Sequence, residues 1–246
     1  MTEPSRRSPW TPAEVVEVRD ETSAIRALVL DVTGWPGHRA GQSVDVRLTA
    51  ESGYATQRPY SLASAPEDPR LELTVERMGD GEVSPWLARE ARAGDRLEIR
   101  GPGGRSFSWH VEDGGPLLLV AGGAGLVPLR AMLRHRAAAG GDGDARLLLS
   151  ARAEEDVLYR SELDGFAGEG VAVHLTLTRS QPEDWKGFAR RVDADMLAAV
   201  GPPASERPRV YVCGPTPFVE SVADLLVGLG HDPAAIHAER FGPTGG

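Results

Sequence analysis

The sequence predicts two units: an antiparallel β-sheet closing as a small barrel or sandwich over residues 10–112, and a doubly wound parallel α/β sheet over residues 113–246. Two observations carry this expectation. Before residue 113, short segments alternate apolar and polar side chains; after it, continuous apolar runs alternate with helical stretches. The 246 residues are 41% hydrophobic, enough to bury a core in each unit.

The alternating segments are 15–19, 25–31, 44–48, 71–77 and 96–100. Gly and Pro clusters punctuate them, as in Gly34-Trp35-Pro36-Gly37 and Gly101-Pro102-Gly103-Gly104. Beyond Asp113-Gly114-Gly115, the apolar run 117–120 leads through glycines into a helical stretch over 127–139. Further apolar strands follow at 146–150, 171–178 and 210–213, and Glu239 and Phe241 sit on a candidate final strand. Parallel strands covered by helices on both faces read in this way. There is no internal repeat, low-complexity tract or long linker.

The net charge of −9 and the lack of a Lys/Arg-rich block argue against nucleic acid or an anionic membrane surface as a partner. Lys186 is the single lysine among 27 basic residues, so an Arg inside a motif carries less information than usual. Cys213 is the only cysteine, which excludes an internal disulfide and leaves no cysteine set for an iron–sulfur cluster or a structural zinc. No metal site is expected. Residues 1–12 are polar, and no run approaches the length of a membrane span, so a cytoplasmic monomer is the expectation.

Arg58-Pro59-Tyr60-Ser61-Leu62 places a fixed cation, a flat aromatic ring and a small hydroxyl on consecutive extended residues. Side chains alternate along a strand, so Arg58 and Tyr60 share a face while Ser61 turns to the other. That combination suits a flavin. In Gly79-Asp80-Gly81-Glu82-Val83-Ser84-Pro85, Ser84 reads as a helix N-cap with Pro85 at the first helical position, so amides from Gly81 through Val83 to Ser84 are placed to cradle a phosphate. Val75 and Arg77, on the strand leading into this segment, are counted with the same site.

A second ligand signal is Gly122-Gly123-Ala124-Gly125-Leu126-Val127-Pro128, between a strand and a helix. Gly123, Ala124 and Gly125 let the backbone approach a phosphate at the helix N-terminus, and Pro128 suits the first turn. The spacing departs from the G-x-G-x-x-G of ordinary dinucleotide folds. Where an acidic residue would hold ribose hydroxyls, the next strand ends in Ser150-Ala151-Arg152. A hydroxyl and a guanidinium there suit a 2′-phosphate, which favours NADPH over NADH, and Tyr159 is placed against the adenine. A surface pair of Arg152 with Glu154, Glu155 or Asp156 is the competing expectation. Cys213-Gly214-Pro215 closes a buried parallel strand at the edge where such sheets bind ligands, and so lines the nicotinamide site.

In order and spacing these segments resemble the ferredoxin–NADP reductase superfamily over nearly the whole chain. The resemblance implies a flavin-binding Greek-key barrel over 10–112 and a Rossmann-like nucleotide domain over 113–246. By its R-x-Y-S pattern, Arg58 would hold a flavin phosphate, Tyr60 would stack on the isoalloxazine, and Ser61 would hydrogen-bond near its N5. Gly81 to Ser84 would bind phosphate, and Cys213, Glu239 and Phe241 would surround the hydride-transfer site.

Ser61, Cys213 and Glu239 are thus the residues expected to tune that transfer. Relatives that end on the aromatic use it to cover the flavin, whereas this chain continues past Phe241 to Gly246. The implied activity passes electrons from NADPH or NADH through FAD, with FMN as the alternative, to a separate acceptor such as ferredoxin, flavodoxin or an oxygenase component. An electron-transfer or regulatory flavoprotein subunit is the rival class.

Overall fold

The computed structural model describes residues 8–49, 52–77 and 82–242. Six strands form the first sheet: β1 (Thr11–Asp20), β2 (Ile25–Asp31), β3 (Ser43–Thr49), β4 (Ala55–Ser61), β5 (Leu71–Glu76) and β6 (Arg96–Gly103). Their order is β4-β3-β6-β1-β2-β5, every pair antiparallel. The open ends meet where Leu62 bridges Leu73 and the Ala63 amide donates to the Glu72 carbonyl at 2.8 Å, which closes the barrel.

The period-2 pattern explains what fills this barrel. Leu28 and Leu30, Val44 and Val46, Leu73 and Val75, and Leu97 and Ile99 are buried in one cluster with Val83, Leu87 and Ala88. The last three come from a helical segment, α1 (Val83–Pro85), which continues as a wider turn through Trp86–Glu90. Ser84 is therefore not the N-cap the sequence suggested. Glu82 precedes the helix without a side-chain cap bond, and Ser84 lies inside it.

The second sheet comprises β7 (Leu117–Gly122), β8 (Ala145–Ala151), β9 (Val171–Leu177), β10 (Arg209–Pro215) and β11 (Ile236–Phe241). All pairs are parallel, in the order β11-β10-β7-β8-β9. Helix α2 (Leu126–Ala138) follows β7, α3 (Arg160–Gly168) follows β8, α4 (Ala194–Val200) precedes β10, and α5 (Thr216–Gly228) follows it. The chain starts at β7, builds outward to β9, then returns to the other side of β7. The switch point lies between β7 and β10, the place where open parallel sheets bind ligands.

Alternate residues of the central strands bury against different helices. Leu119, Ala121, Leu149 and Cys213 share a core with α2 and α3, whereas Leu118, Val120, Leu148 and Val212 share another with α4 and α5. The first core also takes in Ile25, Ala40, Ala63, Phe107 and Trp109 from the barrel side. Helix α2 is consequently buried nearly all round, with Arg130, His135 and Arg136 enclosed alongside its apolar residues. One continuous apolar core thus fixes the barrel against the parallel sheet, which sets the relative placement of the cavities that lie along their junction.

Candidate functional site

A cavity of about 480 Å³ opens between β4 and β5 of the barrel and the ends of β10 and β11, within the range of small-molecule sites (roughly 300–1,000 Å³). Because β4 pairs only with β3 along its length, its far side is free, and Arg58, Pro59, Tyr60 and Ser61 all line the cavity. Arg58 is exposed and donates to the Gln57 carbonyl at 2.8 Å, leaving most of its guanidinium donors for a ligand. The Tyr60 hydroxyl lies 2.7 Å from Ser84 Oγ, which ties the ring to α1, and burial pushes its pKa up.

From the opposite wall come Cys213, Glu239 and Phe241. Cys213 and Glu239 are adjacent because β10 and β11 pair in parallel register at those two residues. Ser61 Oγ donates to Glu239 Oε1 at 3.3 Å across the domain junction. Burial raises the Glu239 pKa above the usual carboxylate value, and the Ser61 hydrogen bond opposes that shift. Burial, and secondarily the Glu239 carboxylate, holds the Cys213 thiol well above its ordinary pKa. Cys213 is therefore a neutral, unreactive thiol that shapes the wall.

A second cleft of about 250 Å³ adjoins the first at the switch point. Gly123, Ala124, Ser150, Arg152 and Pro215 line it from the parallel sheet, and Thr22, Ile25 and Glu76 line it from the barrel. Phe241 borders both spaces, as do Ala124 and Glu76. The glycines of the turn have separate reasons for being glycine. A Cβ on Gly125 would collide with the Cys213 carbonyl oxygen, and one on Gly122 or Gly214 would stand 2.8 Å from the Phe218 ring. Those positions are needed for packing. Gly123 has φ +55 and open space around it, so it is the residue whose backbone a phosphate can approach.

The competing surface pairing of Arg152 does not form. Glu154 engages Arg160 at 3.4 Å, and among the described residues the Arg152 guanidinium has no ion pair. Asp156 lines the same cleft, so a cation and an acid stand together in it.

Several sequence expectations are corrected. Tyr159 is not presented towards an adenine: it is 7% exposed, beneath the Arg130 guanidinium, with its hydroxyl on Thr74. Val75 and Val83 point into the barrel core, and Arg77 lies outside both cavities; on β5 it is Thr74 and Glu76 that face them. Period 2 in Leu71-Glu72-Leu73-Thr74-Val75-Glu76 carried that signal, since burying Leu73 and Val75 turns Thr74 and Glu76 the other way. Pro128 is buried in the first turn of α2 and lines neither space. Gly81 lies outside the described residues. Arg240 and Val127, which line the larger cavity, were not anticipated.

The larger cavity suits a flavin in size and lining: the Tyr60 ring, the hydroxyl oxygens of Ser61 and Ser84, and Arg58, whose guanidinium has no ion pair among the described residues. The smaller fits a dinucleotide phosphate at Gly123. Comparison with known proteins finds one flavin-binding and one nucleotide-binding domain type in this chain. A family profile described as the oxidoreductase FAD-binding domain matches residues 13–108, and one described as the oxidoreductase NAD-binding domain matches residues 119–224.

The glycine betaine monooxygenase reductase subunit of Pseudomonas aeruginosa is 31% identical over 84% of this chain, and the chain spans 57% of that protein's length. In solved structures, the FAD/NAD-binding domain of a nitric oxide dioxygenase from Vibrio cholerae superposes with a TM-score of 0.84 at 25% identity, covering 97% of this chain and 100% of that one. Ferredoxin–NADP reductase B of Sorangium cellulosum is 35% identical over 93% of this chain and 96% of its own. With near-complete coverage of both proteins, and the paired flavin and nucleotide domains in the same order, the chain belongs to the ferredoxin–NADP reductase superfamily.

Proposed function

We propose that this protein oxidises NADPH or NADH at a bound FAD and delivers the electrons to a separate acceptor, a ferredoxin or an oxygenase component. The observation that carries this reading is the convergence of Ser61, Cys213 and Glu239 from three strands on one cavity beside the nucleotide cleft. Flavin supplies the chemistry when bound: it accepts a hydride, two electrons with one proton, from the reduced nicotinamide, and later releases the electrons to the acceptor.

The protein's residues bind and orient. On this reading Arg58 holds a flavin phosphate, Tyr60 offers its face to the ring system, and Ser61 offers its hydroxyl near the reacting edge. Glu239, held by Ser61, and the neutral Cys213 thiol close the opposite side and exclude water. No residue needs to act as a strong acid or base. The division falls near residue 113, with flavin bound by 10–112 and nucleotide by 113–246.

NADPH is the preferred donor on this reading because the Arg152 guanidinium, which has no ion pair among the described residues, stands beside Ser150 where both can take a 2′-phosphate. Asp156, in the same cleft, favours the second reading, in which NADH serves equally. Purified protein should show flavin absorption in the visible, and heat-released cofactor should be FAD rather than FMN. Anaerobic NADPH should bleach those bands faster than NADH. A colourless preparation that gains no flavin on incubation with FAD would refute the assignment.

A further inference from the structure

Tyr159 is a bulky residue in an unusual backbone state. Its φ of 54 lies in the left-handed region, where residues other than glycine are strained and persist only when their surroundings hold them. Three contacts supply that hold. The ring lies 4.0 Å from the Arg130 guanidinium carbon, the hydroxyl bonds Thr74 Oγ1, and the side chain is almost wholly enclosed. Arg130, itself 4% exposed, donates to Glu72 at 2.7 Å, to the Ala63 carbonyl at 3.2 Å and to both oxygens of Glu162.

These partners straddle the two domains. Glu72 and Thr74 belong to β5 of the barrel, while Arg130, Tyr159 and Glu162 belong to α2 and the start of α3. Positions 72, 74 and 76 are alternate residues on one face of β5: Glu72 takes Arg130, Thr74 takes Tyr159, and Glu76 faces the cleft. Thr74 also lines the larger cavity. On the other side, Tyr159 ends the segment whose earlier residues, Arg152 and Asp156, line the nucleotide cleft.

We propose that the Tyr159–Thr74 hydrogen bond is a positioning latch, coupling the nucleotide-side segment 152–159 to the wall of the flavin cavity and fixing how the two bound cofactors meet. The inference rests on the functional reading above. Hydride transfer is sensitive to the separation of the reacting atoms, and here that separation is set across a domain junction. Tyr159 is a positioning residue, since its hydroxyl is committed to Thr74 and it touches neither open space. Its strained backbone has a counterpart in this role: released from Thr74, residue 159 relaxes, and the segment before it moves with it. Burial raises the Tyr159 pKa, so the hydroxyl stays protonated throughout the range in which the enzyme would be assayed.

The test uses the full chain and the variant Tyr159→Phe, which keeps the ring under Arg130 and removes one oxygen. Hydrogen–deuterium exchange is followed on apoprotein with and without FAD, and flavin reduction at saturating NADPH is followed by stopped flow. In wild type, FAD should slow exchange in 152–159, although that segment lies in the other domain. In Tyr159→Phe this cross-domain protection should vanish while protection of β4 persists, and reduction should slow about tenfold with FAD affinity within about threefold.

Thr74→Val should give the same pattern, and the double variant should be no slower than either single one. A Tyr159→Phe protein that keeps the cross-domain protection and the wild-type rate overturns the latch alone. A wild-type protein that takes up no flavin overturns the reading of the site, and the latch with it.

Discussion

Ser61 and Glu239, 178 positions apart, meet through a 3.3 Å hydrogen bond that joins the barrel to the last strand of the parallel sheet. Removing the Ser61 hydroxyl leaves a half-buried carboxylate without that donor. Ser61→Ala should therefore lower stability by about 1 kcal/mol in thermal or urea unfolding. It should also slow flavin reduction, and more in the rate at saturating nucleotide than in its KM.

The raised pKa of Glu239 gives a signed pH dependence. An acid whose folded pKa lies above its unfolded value favours folding while protonated, and that contribution is lost as pH rises through the folded value. Glu239→Gln carries no such cost. The variant's melting temperature relative to wild type should thus be higher at pH 8 than at pH 4.5; a difference that runs the other way contradicts the burial of this carboxyl.

Gly125 and Gly123 should respond differently to alanine. Gly125→Ala drives a methyl into the Cys213 carbonyl and must push α2 from β10, at a cost of about 2–4 kcal/mol. Gly123→Ala meets open space and pays only for its positive φ, about 1 kcal/mol, but should weaken nucleotide binding by crowding the phosphate approach. Calorimetry on both variants, with nucleotide titrations, separates packing from binding.

Donor preference should reside in Arg152. Arg152→Ala should lower kcat/KM for NADPH about 10- to 100-fold and leave NADH nearly unchanged, since a charged hydrogen bond contributes roughly 1.5–3 kcal/mol. Equal losses with both donors would place the guanidinium away from the 2′-phosphate.

Arg130→Met should be among the most destabilising single changes. It strips a buried cation from Glu72 and Glu162 and should cost about 3–5 kcal/mol, read as a loss of denaturant midpoint.

Much of this fold could be read from periodicity. Strand alternation located the segments 25–31 and 44–48, which the structure shows as β2 and β3 burying Leu28 with Leu30 and Val44 with Val46, and apolar runs located β7 through β10, because burial on one face or on both leaves different spacing. The R-P-Y-S run and the Cys213-Gly214 strand end were legible because several unusual residue types stand together. Tyr159 was not. Its local string, Asp156-Val157-Leu158-Tyr159-Arg160, is silent about Thr74, 85 positions away, and only the tertiary path turns its ring from the cleft to the junction.

Ser84 was misread for a related reason. A Ser-Pro pair satisfies the rule for a helix start, but the helix begins at Val83, two residues before Pro85, and the Ser84 hydroxyl serves Tyr60 instead. Arg58, in a chain with a single lysine, carried less weight than its neighbours for compositional reasons alone.

On the proposed reading, Tyr60 and Ser61 face the flavin ring in the cavity that Cys213 and Glu239 close. Its most direct test is the Tyr60→Ala/Ser61→Ala double variant, measured for bound flavin per chain and for the anaerobic reduction rate with NADPH. Flavin content should fall, and in reconstituted protein the reduction rate should drop by about 100-fold or more. Flavin content and rate both equal to wild type would contradict the placement of the ring and the site built around it.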